Sequence, residues 1–405
     1  MIEAGKSFCP YCVRAHKEAF YSASDITWGV ELGRKLSGKY EVRKKIFPGK
    51  NAPNGRIILE DDMKENENGL PNSIQVTWSE GEKGQEKTQE KRLFRCCPIC
   101  AEKHNTFRRV NSVLGRYPTY VVALIGDMDA GKSVFVDAIA TTGNTQAVNS
   151  VGYAHKLHYT TPAVVETQSE STPPESRGQS KVLTILDRQD NDRVVAVVYF
   201  VDVAGELWNG TKKEKQRGKL EKELVWNLLD RNSDYPGADA YIFVEPAVKK
   251  HDSNYSYSAE EIYRDLSNEG LLKNRPLAYV MSHADMLIGS GKFKQVEVPG
   301  VGPCQIMTKD TFDLKQPTSY AREKLLSRVA LEDAIVRSYQ PAVLNESVVK
   351  CFLVCSCDVR SEKKEVDGVE KERKIDDLTG SRHVMDPLIW ILNKLKLFPL
   401  KERAD

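Results

Sequence analysis

The sequence contains no long hydrophobic run and no large excess of charge of either sign. Its longest uninterrupted apolar stretch, residues 194–201, is much shorter than the roughly 20 residues that a membrane-spanning helix needs. No apolar segment precedes the first cysteine, so we expect no signal peptide. Lys and Arg total 59 against 57 Asp and Glu, a balance that argues against a dedicated nucleic-acid-binding protein. We therefore expect a cytoplasmic protein without a membrane segment, folded as one large domain or two moderate ones.

The most specific local pattern is a glycine-containing loop between a strand and a helix. An apolar, β-branched run at residues 119–125 leads into G-x-x-x-x-G-K-S, and a helix-compatible segment follows at residues 134–140. This is the context that a phosphate-binding loop (P-loop, Walker A motif) requires. The glycines would let the backbone curl around a β-phosphate, the lysine would reach the β- and γ-phosphates, and the serine would bind Mg²⁺. We therefore predict nucleotide binding by Gly126, Asp127, Met128, Asp129, Ala130, Gly131, Lys132, Ser133 and Val134.

Five of the nine cysteines fall within the first hundred residues, and four of these form two C-P-x-C pairs. Cysteines of a cytoplasmic protein are more often metal ligands or buried thiols than disulfides. The pairs are 84 residues apart, yet together they can supply four thiolates to a tetrahedral, structural Zn²⁺ site. The four predicted ligands are Cys9, Cys12, Cys97 and Cys100. Cys96 or His104 can replace one of them, and unligated buried thiols are the alternative.

Short strands divided by turn-rich segments are predicted between the two cysteine pairs. They lie at residues 27–32, 40–47, 56–60, 73–78 and 91–95. Zinc at the base of such an insert would supply folding energy to a small β unit. We predict a zinc-ribbon-like, β-rich module at residues 1–117. Its basic residues are interleaved with acids, which favours a solvated or protein-docking face over a nucleic-acid surface.

Strands and helices alternate after the phosphate-binding motif. Strands are predicted at residues 181–186 and 193–202, joined as a hairpin, and at residues 239–244, 276–282 and 348–355. Helices are predicted at residues 258–272, 319–338 and 387–397. Residues 141–180 and 360–382 lack a readable period and are predicted to be irregular, and residues 292–312 an insertion. This alternation predicts an α/β domain at residues 118–398, with a mostly parallel sheet, helices on both faces and a site at the carboxyl ends of the strands.

A second motif follows the predicted hairpin. Asp202 ends an apolar strand, and Gly205 stands three residues further on. This spacing suits a carboxylate that orients Mg²⁺ and a glycine N–H that meets a γ-phosphate. D-x-x-G is a weak signal by itself, but its place two strands after a phosphate-binding loop makes it specific.

The ordered set G-D-M-D-A-G-K-S, D-V-A-G-E, S-H-A-D and V-C-S-C resembles the motif series of Ras-like and translation-factor (TRAFAC-class) GTPases. The resemblance covers residues 118 to about 398. More narrowly, the chain is similar to the double-GTPase families of bacterial GTPase-associated conflict systems. Those proteins often open with a cysteine-rich module and close with a helix like residues 384–392. The resemblance implies a P-loop GTPase fold with GTP and Mg²⁺ as ligands.

The resemblance assigns the base-binding positions. Asp285 would pair with the N1–H and amino group of guanine, a bidentate contact that distinguishes guanine from adenine. Ser282 replaces the usual Asn or Thr, and His283 replaces the usual Lys, whose place over the base an imidazole can take by stacking. Ser356 and Cys357 would contact the base through backbone groups. If S-H-A-D is only a polar strand end, the nucleotide is ATP instead.

The resemblance also implies the ion-binding and catalytic positions. Mg²⁺ would be bound by Ser133, Asp202 and a switch threonine, for which we choose Thr172. Three other threonines stay open for that role: Thr160, Thr161 and Thr167. Glu206 stands where Ras-like proteins carry a water-orienting Gln, so Lys132, Thr172 and Glu206 are the predicted catalytic residues; an exposed acid without a catalytic part is the alternative for Glu206. Asp129 stands where some relatives hold K⁺ or Na⁺, and a solvent-facing acid is the alternative.

These motifs favour a GTPase switch with slow intrinsic hydrolysis. Its expected partners are GTP, GDP, an effector and a second GTPase. Two other functions remain open: a nucleotide-dependent assembly or scaffold module with little hydrolysis, and a zinc-containing GTPase that associates with RNA or the ribosome. Turnover measurements separate the first alternative from a switch, and salt-dependent RNA binding would indicate the second.

Overall fold

The structure, a computed structural model, describes two compact units, Met1–Thr119 with Trp226–Gly237 and Tyr120–Val225 with Ala238–Asp405. The described residues are 1–2, 7–9, 12–16, 19–23, 28–36, 39–46, 58–59, 73–80, 87–100, 117–126, 130–143, 155–159, 166–168, 181–187, 189–202, 228–229, 237–247, 259–268, 270, 272, 274–284, 295–298, 302–305, 332–333, 348–356, 358–366, 369–377, 381 and 383–397. Among them, no helix is long and apolar enough to cross a membrane.

The first unit is built from antiparallel β-strands. They are Ser7–Cys9 (β1), Arg14–His16 (β2), Ala19–Ser22 (β3), Trp28–Leu36 (β4), Lys39–Ile46 (β5), Ile58–Leu59 (β6), Ser73–Glu80 (β7) and Lys87–Cys96 (β8). β1 pairs with β2, and the other six form one sheet in the order β5-β4-β3-β8-β7-β6. Because successive side chains of a strand point to opposite faces, Val30, Leu32, Ile74, Val76 and Leu93 are buried together. The strands predicted between the two cysteine pairs correspond to β4, β5, β6, β7 and β8.

The second unit is built on a seven-stranded sheet. Its strands, together with those of smaller sheets, are Thr119–Ile125 (β9), His155–Tyr159 (β10), Glu166–Gln168 (β11), Lys181–Asp187 (β12), Arg193–Asp202 (β13), Ala240–Pro246 (β14), Leu277–Ser282 (β15), Gln295–Val298 (β16), Gly302–Gln305 (β17), Val349–Leu353 (β18), Asp358–Val366 (β19) and Val369–Asp377 (β20). The order of the large sheet is β10-β12-β13-β9-β14-β15-β18. β9, β14, β15 and β18 run parallel, whereas β12 is antiparallel to β10 and β13. The predicted α/β class with a mostly parallel sheet is confirmed.

The predicted hairpin between β12 and β13 turns through residues with left-handed backbone. Asn191 has a φ of 47° and Asp192 a φ of 57°. Asn and Asp tolerate this region better than other residues with a side chain, because their short polar groups bond to nearby backbone. The Arg193 N–H closes the turn on the Asp190 carbonyl at 2.8 Å. The turn thus reverses the chain, and β13 runs antiparallel to β12 and ends at Asp202.

Within the described part of the second unit, three helices pack against the sheet. They are Lys132–Gly143 (α1), Ala259–Asn268 (α2) and Met385–Lys394 (α3). Phe135 of α1 and Leu388 of α3 share one apolar core with strand residues such as Val198 and Ile242. Of the helix predicted at residues 319–338, only residues 332–333 lie within the described part of the chain.

The prediction that residues 360–382 form an irregular charged loop is wrong. β19 and β20 form an antiparallel hairpin there, in register from Asp358 opposite Asp377 to Val366 opposite Val369. β20 also pairs with β11, and both β10 and β11 lie inside the stretch of residues 141–180 that was predicted to be irregular. β16 and β17 form a hairpin inside the predicted insertion. Charged strands of this kind lack the apolar alternation by which a strand is recognised in a sequence.

Candidate nucleotide-binding site

The phosphate loop lies at the carboxyl end of β9, between this buried strand and α1. Gly126 follows the strand directly, and a Cβ at this position would lie 2.2 Å from the carbonyl oxygen of Val244 in β14. Gly131 has a φ of +81°, a conformation that residues with a side chain rarely adopt. Glycine is therefore needed at position 126 because the loop passes close to β14, and at position 131 because the backbone there is left-handed.

Lys132 places its ammonium group across the loop. Its Nζ donates a hydrogen bond of 2.9 Å to the Gly126 carbonyl oxygen, and the side chain is buried. A buried ammonium at the N-terminus of a helix adds a full positive charge to the partial charge of the helix dipole. The loop therefore presents a cationic surface suited to phosphate.

Ser133 and Asp202 join the loop to the end of β13. The Ser133 hydroxyl donates to Asp202 Oδ2 at 2.6 Å, although 69 residues separate the two in sequence. Burial raises the pKa of Asp202 above its ordinary 3.8, while the Lys132 charge and the Ser133 hydrogen bond act in the opposite direction. A hydroxyl and a carboxylate are hard oxygen ligands, the type that Mg²⁺ prefers. The pair therefore fits the two Mg²⁺-binding positions predicted for these residues.

Ser282 ties β15 to the phosphate loop. Its hydroxyl group lies 2.9 Å from the Ala130 carbonyl oxygen and 3.3 Å from that of Glu245, and it can donate to either. Ser282 is buried, so its contacts within the described part of the chain are with backbone of the loop and of β14. The Ser282 hydroxyl group thus links the end of β15 to the loop at Ala130.

His283 stands beside the loop in a left-handed conformation. Its φ is 54°, and its Nε2 lies 3.5 Å from the position that a Cβ on Gly131 would take. The next residue, Ala284, donates its N–H to the Val354 carbonyl at 3.1 Å, which joins the ends of β15 and β18. The strained backbone of His283 is thus held between the phosphate loop and the end of β18, at the edge of the site.

Ser356 lies just past β18, where the base-binding turn was predicted. Its side chain is buried, and among the described residues its hydroxyl oxygen has no hydrogen-bond partner. A buried hydroxyl costs free energy unless it is hydrogen-bonded. The oxygen is therefore suited to a polar contact with a bound molecule.

Several predicted positions lie outside the described residues. They are His104, Asp127, Met128, Asp129, Thr160, Thr161, Thr172, Gly205, Glu206, Asp285 and Cys357. Val134 lies on α1, is half-buried and packs against the core, and its predicted contact with the nucleotide stays a prediction. Thr167 lies in β11, where its backbone pairs with Asp376.

The sequence prediction missed one buried acid beside the loop. Glu245 lies at the carboxyl end of β14, and its carboxylate accepts a hydrogen bond from the Tyr279 hydroxyl group of the neighbouring strand. The signal was present, because an acid that ends an otherwise apolar strand is unusual unless it is paired. The pairing across two parallel strands only becomes visible in the fold.

The two cysteine pairs meet in the first unit. Cys9 Sγ lies 3.7 Å from Cys100 Sγ, and Cys12 Sγ lies 3.6 Å from Cys97 Sγ. A disulfide would require about 2.05 Å, whereas a ZnS₄ tetrahedron with bonds of about 2.3 Å has edges of about 3.8 Å. The four buried sulfurs, here called the four-thiol cluster, therefore match the spacing of a structural zinc site.

The fifth cysteine of this region stands outside the cluster. Cys96 Sγ contacts the Phe94 carbonyl oxygen at 3.1 Å and is absent from the group of mutually close sulfurs. Burial raises the pKa of the Cys9 thiol, and contact with the Cys100 thiol raises that of Cys12. Binding of Zn²⁺ to these thiols would therefore release protons and strengthen as the pH rises.

Two solved structures resemble the chain at low sequence identity. The septin GTPase domain from Chlamydomonas reinhardtii is 13% identical with a TM-score of 0.31, over 69% of this chain and 95% of that chain. The cytosolic domain of L. pneumophila FeoB is 13% identical with a TM-score of 0.23, over 61% of this chain and 75% of that chain. No protein-family model and no curated protein sequence matches the chain.

Proposed function

We propose that the chain is a GTP-binding and GTP-hydrolysing molecular switch. The hydrogen bond between Ser133 and Asp202 carries this proposal, because it joins the two predicted Mg²⁺ ligands at the mouth of a phosphate loop. The buried Lys132 ammonium and the helix N-terminus add the positive charge that a triphosphate needs. Lys132 is buried and Asp202 partly buried, and the positive charge of Lys132 acts on the Asp202 carboxylate, an arrangement suited to holding a phosphate-bound cation.

The residues divide between binding and hydrolysis. Lys132 would hold the β- and γ-phosphates, and Ser133, Asp202 and Thr172 would hold Mg²⁺. Bound Mg²⁺ supplies charge that offsets the negative charge developing on the phosphate oxygens. Glu206 would orient the water that attacks the γ-phosphate, and the products are GDP and inorganic phosphate.

Guanine selectivity is proposed to rest on Asp285. Ser282 and His283 would support this position from β15, and Ser356 with Cys357 would contact the base from the end of β18. The buried Ser356 hydroxyl oxygen supports a polar contact at this end of the sheet. Selectivity for ATP is the competing outcome.

Equilibrium titration of the full chain with GTP, GDP, ATP and xanthosine triphosphate tests the proposal. We expect tight, Mg²⁺-dependent binding of guanine nucleotides and weak binding of ATP. Asp285→Asn should weaken GTP binding and improve binding of the xanthosine nucleotide, because the exchange reverses the donor and acceptor pattern. Ser133→Ala serves as the control that weakens every triphosphate alike. Equal affinity of the native chain for ATP and GTP would contradict guanine recognition.

The proposal also includes a biological role and a zinc centre. The order of motifs and the cysteine-rich first unit support membership of the double-GTPase families of bacterial conflict systems, with a second GTPase or an effector as partner. The four-thiol cluster is proposed to hold one structural Zn²⁺, on the basis of its sulfur spacings. If the chain binds GTP but hydrolyses it in no combination with its partners, an assembly module is the better description.

A further inference from the structure

A second group of buried metal-binding side chains lies in the second unit and contains no cysteine. Glu332, His383 and Asp386 bring two carboxylates and one imidazole together, and their ligand atoms all lie within 4.8 Å of one another. His383 Nδ1 lies 3.4 Å from Glu332 Oε1 and 3.3 Å from Asp386 Oδ2. The exposed fractions of the three residues are 0%, 6% and 1%. None of them belongs to the predicted nucleotide site or the four-thiol cluster.

The three side chains of the group carry unequal numbers of acidic and basic groups. Two ionised carboxylates beside one imidazole leave a net negative charge, even when the imidazole is protonated. A buried carboxylate is costly unless an opposite charge lies against it. A divalent cation held by both carboxylates and a neutral imidazole would make the group neutral.

The distances also match those of a coordination shell. First-row divalent ions such as Zn²⁺ bind imidazole nitrogen and carboxylate oxygen at about 2.0–2.2 Å. In tetrahedral geometry such bonds place neighbouring ligand atoms about 3.3–3.6 Å apart. The two separations from His383 Nδ1 fall in this range.

Neighbouring groups hold the candidate ligands in place. Glu332 Oε2 accepts the Leu353 N–H at 3.4 Å, so the opposite oxygen is the one turned toward His383. Next to it, Asp333 Oδ1 accepts the Cys351 N–H at 3.0 Å, which fixes this short segment against β18. Supporting hydrogen bonds of this kind commonly orient metal ligands.

The backbone at the start of α3 presents the other two ligands. His383 has a φ of 59°, and the Asp386 N–H donates to its carbonyl oxygen at 3.1 Å. The left-handed residue and the turn that follows place the two side chains, three positions apart, on one side of the helix start. This is a strained arrangement for a histidine, and strain of this kind is concentrated at functional sites.

We propose that Glu332, His383 and Asp386 form a buried binding site for Zn²⁺ or a similar first-row divalent ion. The ion fastens the start of α3 and the Glu332 segment to the end of β18. The Phe352 and Trp390 rings, whose centroids are 5.9 Å apart, already join β18 to α3. The site is structural, and it stands independently of the proposed GTPase activity.

This site is tested by measuring bound metal in the full chain after substituting a ligand of each candidate metal centre in turn. Cys12→Ser removes a ligand of the four-thiol cluster and leaves the new site intact. In that background, the protein should still bind one equivalent of Zn²⁺ or Co²⁺. The cobalt complex should lack the sulfur-to-metal charge-transfer absorption of a thiolate site, because its ligands are nitrogen and oxygen.

Glu332→Gln in the same background should weaken metal binding by more than about 100-fold, beyond what is usual for a change in a supporting residue. Asp333→Asn is the matched control, since it alters the adjacent carboxylate and should keep the metal. Chelator should lower the melting temperature of the Cys12→Ser protein and leave that of the double variant unchanged.

The alternative is a metal-free group in which the three side chains share protons. It predicts that Glu332→Gln changes the melting temperature in the opposite direction. In that case Glu332→Gln removes an excess buried charge and leaves the melting temperature equal or higher. The proposal is overturned if the Cys12→Ser protein binds no metal, or if Glu332→Gln and Asp333→Asn bind it equally. If Glu332→Gln fails to fold, cobalt titration of the metal-stripped Cys12→Ser protein decides between the two.

Discussion

Three glycines of the second unit differ in what surrounds them. A Cβ at Gly126 would lie 2.2 Å from the Val244 carbonyl oxygen of a central strand. At Gly131, with a φ of +81°, the nearest atom would be His283 Nε2 at 3.5 Å, an ordinary contact. Gly270 has a φ of +67° and no atom within 4 Å of such a Cβ. Gly270→Ala therefore measures the cost of left-handed backbone alone.

The three alanine variants should consequently rank in a fixed order. Gly270→Ala and Gly131→Ala should each lower the free energy of unfolding by about 1–2 kcal/mol, the cost of a left-handed residue with a side chain. Gly126→Ala should cost about 3 kcal/mol or more, because main chain of a central strand cannot rotate away as a side chain can. At roughly 2–4 °C per kcal/mol, the melting temperature should fall by about 2–8 °C for the first two and by at least about 6 °C for the third.

Calorimetry and nucleotide titration on the same samples separate stability from binding. Gly270→Ala should bind GDP like the native chain, since it lies outside the loop. Gly131→Ala should lose affinity by at least about tenfold, because its backbone N–H is one of those expected to bind phosphate. Equal melting temperatures for Gly126→Ala and Gly270→Ala would refute the close approach of the loop to β14. Unchanged GDP affinity in Gly131→Ala would refute the assignment of the loop.

Four further predictions concern the metal and switch positions. Cys12→Ser should lower bound zinc by about one equivalent per chain, whereas Cys96→Ser should keep it, as elemental analysis would show. Because burial raises the folded-state pKa of Asp202, its contribution to stability is lost as the pH rises from 3.8 through the raised pKa. Asp202→Asn should therefore leave the nucleotide-free protein as stable or more stable at neutral pH in thermal melts, yet abolish stabilisation by Mg²⁺-GTP. Intrinsic hydrolysis should be slower than about 1 s⁻¹, and Glu206→Ala should chiefly reduce the partner-stimulated rate; fast basal turnover abolished by this change would contradict that role. Turnover in K⁺ or Na⁺ should exceed turnover in a bulky organic cation, and Asp129→Ala should remove the difference.

The phosphate loop and the parallel strands were predictable because their signals are local. β9 and β13 are largely β-branched, apolar runs; Gly126 of the predicted phosphate loop follows β9 directly, and β13 ends at Asp202. The contact between Ser133 and Asp202 also followed, since the carboxyl ends of neighbouring strands meet at one edge of a sheet. A sulfur cluster was expected from the repeated C-P-x-C pattern, but the exclusion of Cys96 from it required the fold.

Other parts of the fold leave no such signal. β19 and β20 consist largely of charged residues, so their pairing depends on backbone hydrogen bonds rather than on an apolar face. Glu332 and His383 lie in different segments, and nothing in either segment indicates that their side chains meet. Such contacts depend on how helices and strands pack against each other, and hydrophobic periodicity predicts only the individual elements.

The four-thiol cluster closes the base of the segment between Cys12 and Cys97. Cys12 and Cys97 stand 85 residues apart in the chain, yet their sulfur atoms lie 3.6 Å apart. The pairing of Phe20 with Cys96 continues the closure. In the chain-entropy model, a cross-link over a loop of this length contributes about 4–5 kcal/mol by restricting the unfolded chain. Because this segment begins and ends at one place, we expect it to accept insertions, deletions or replacement by another sheet, provided that the four cysteines are kept.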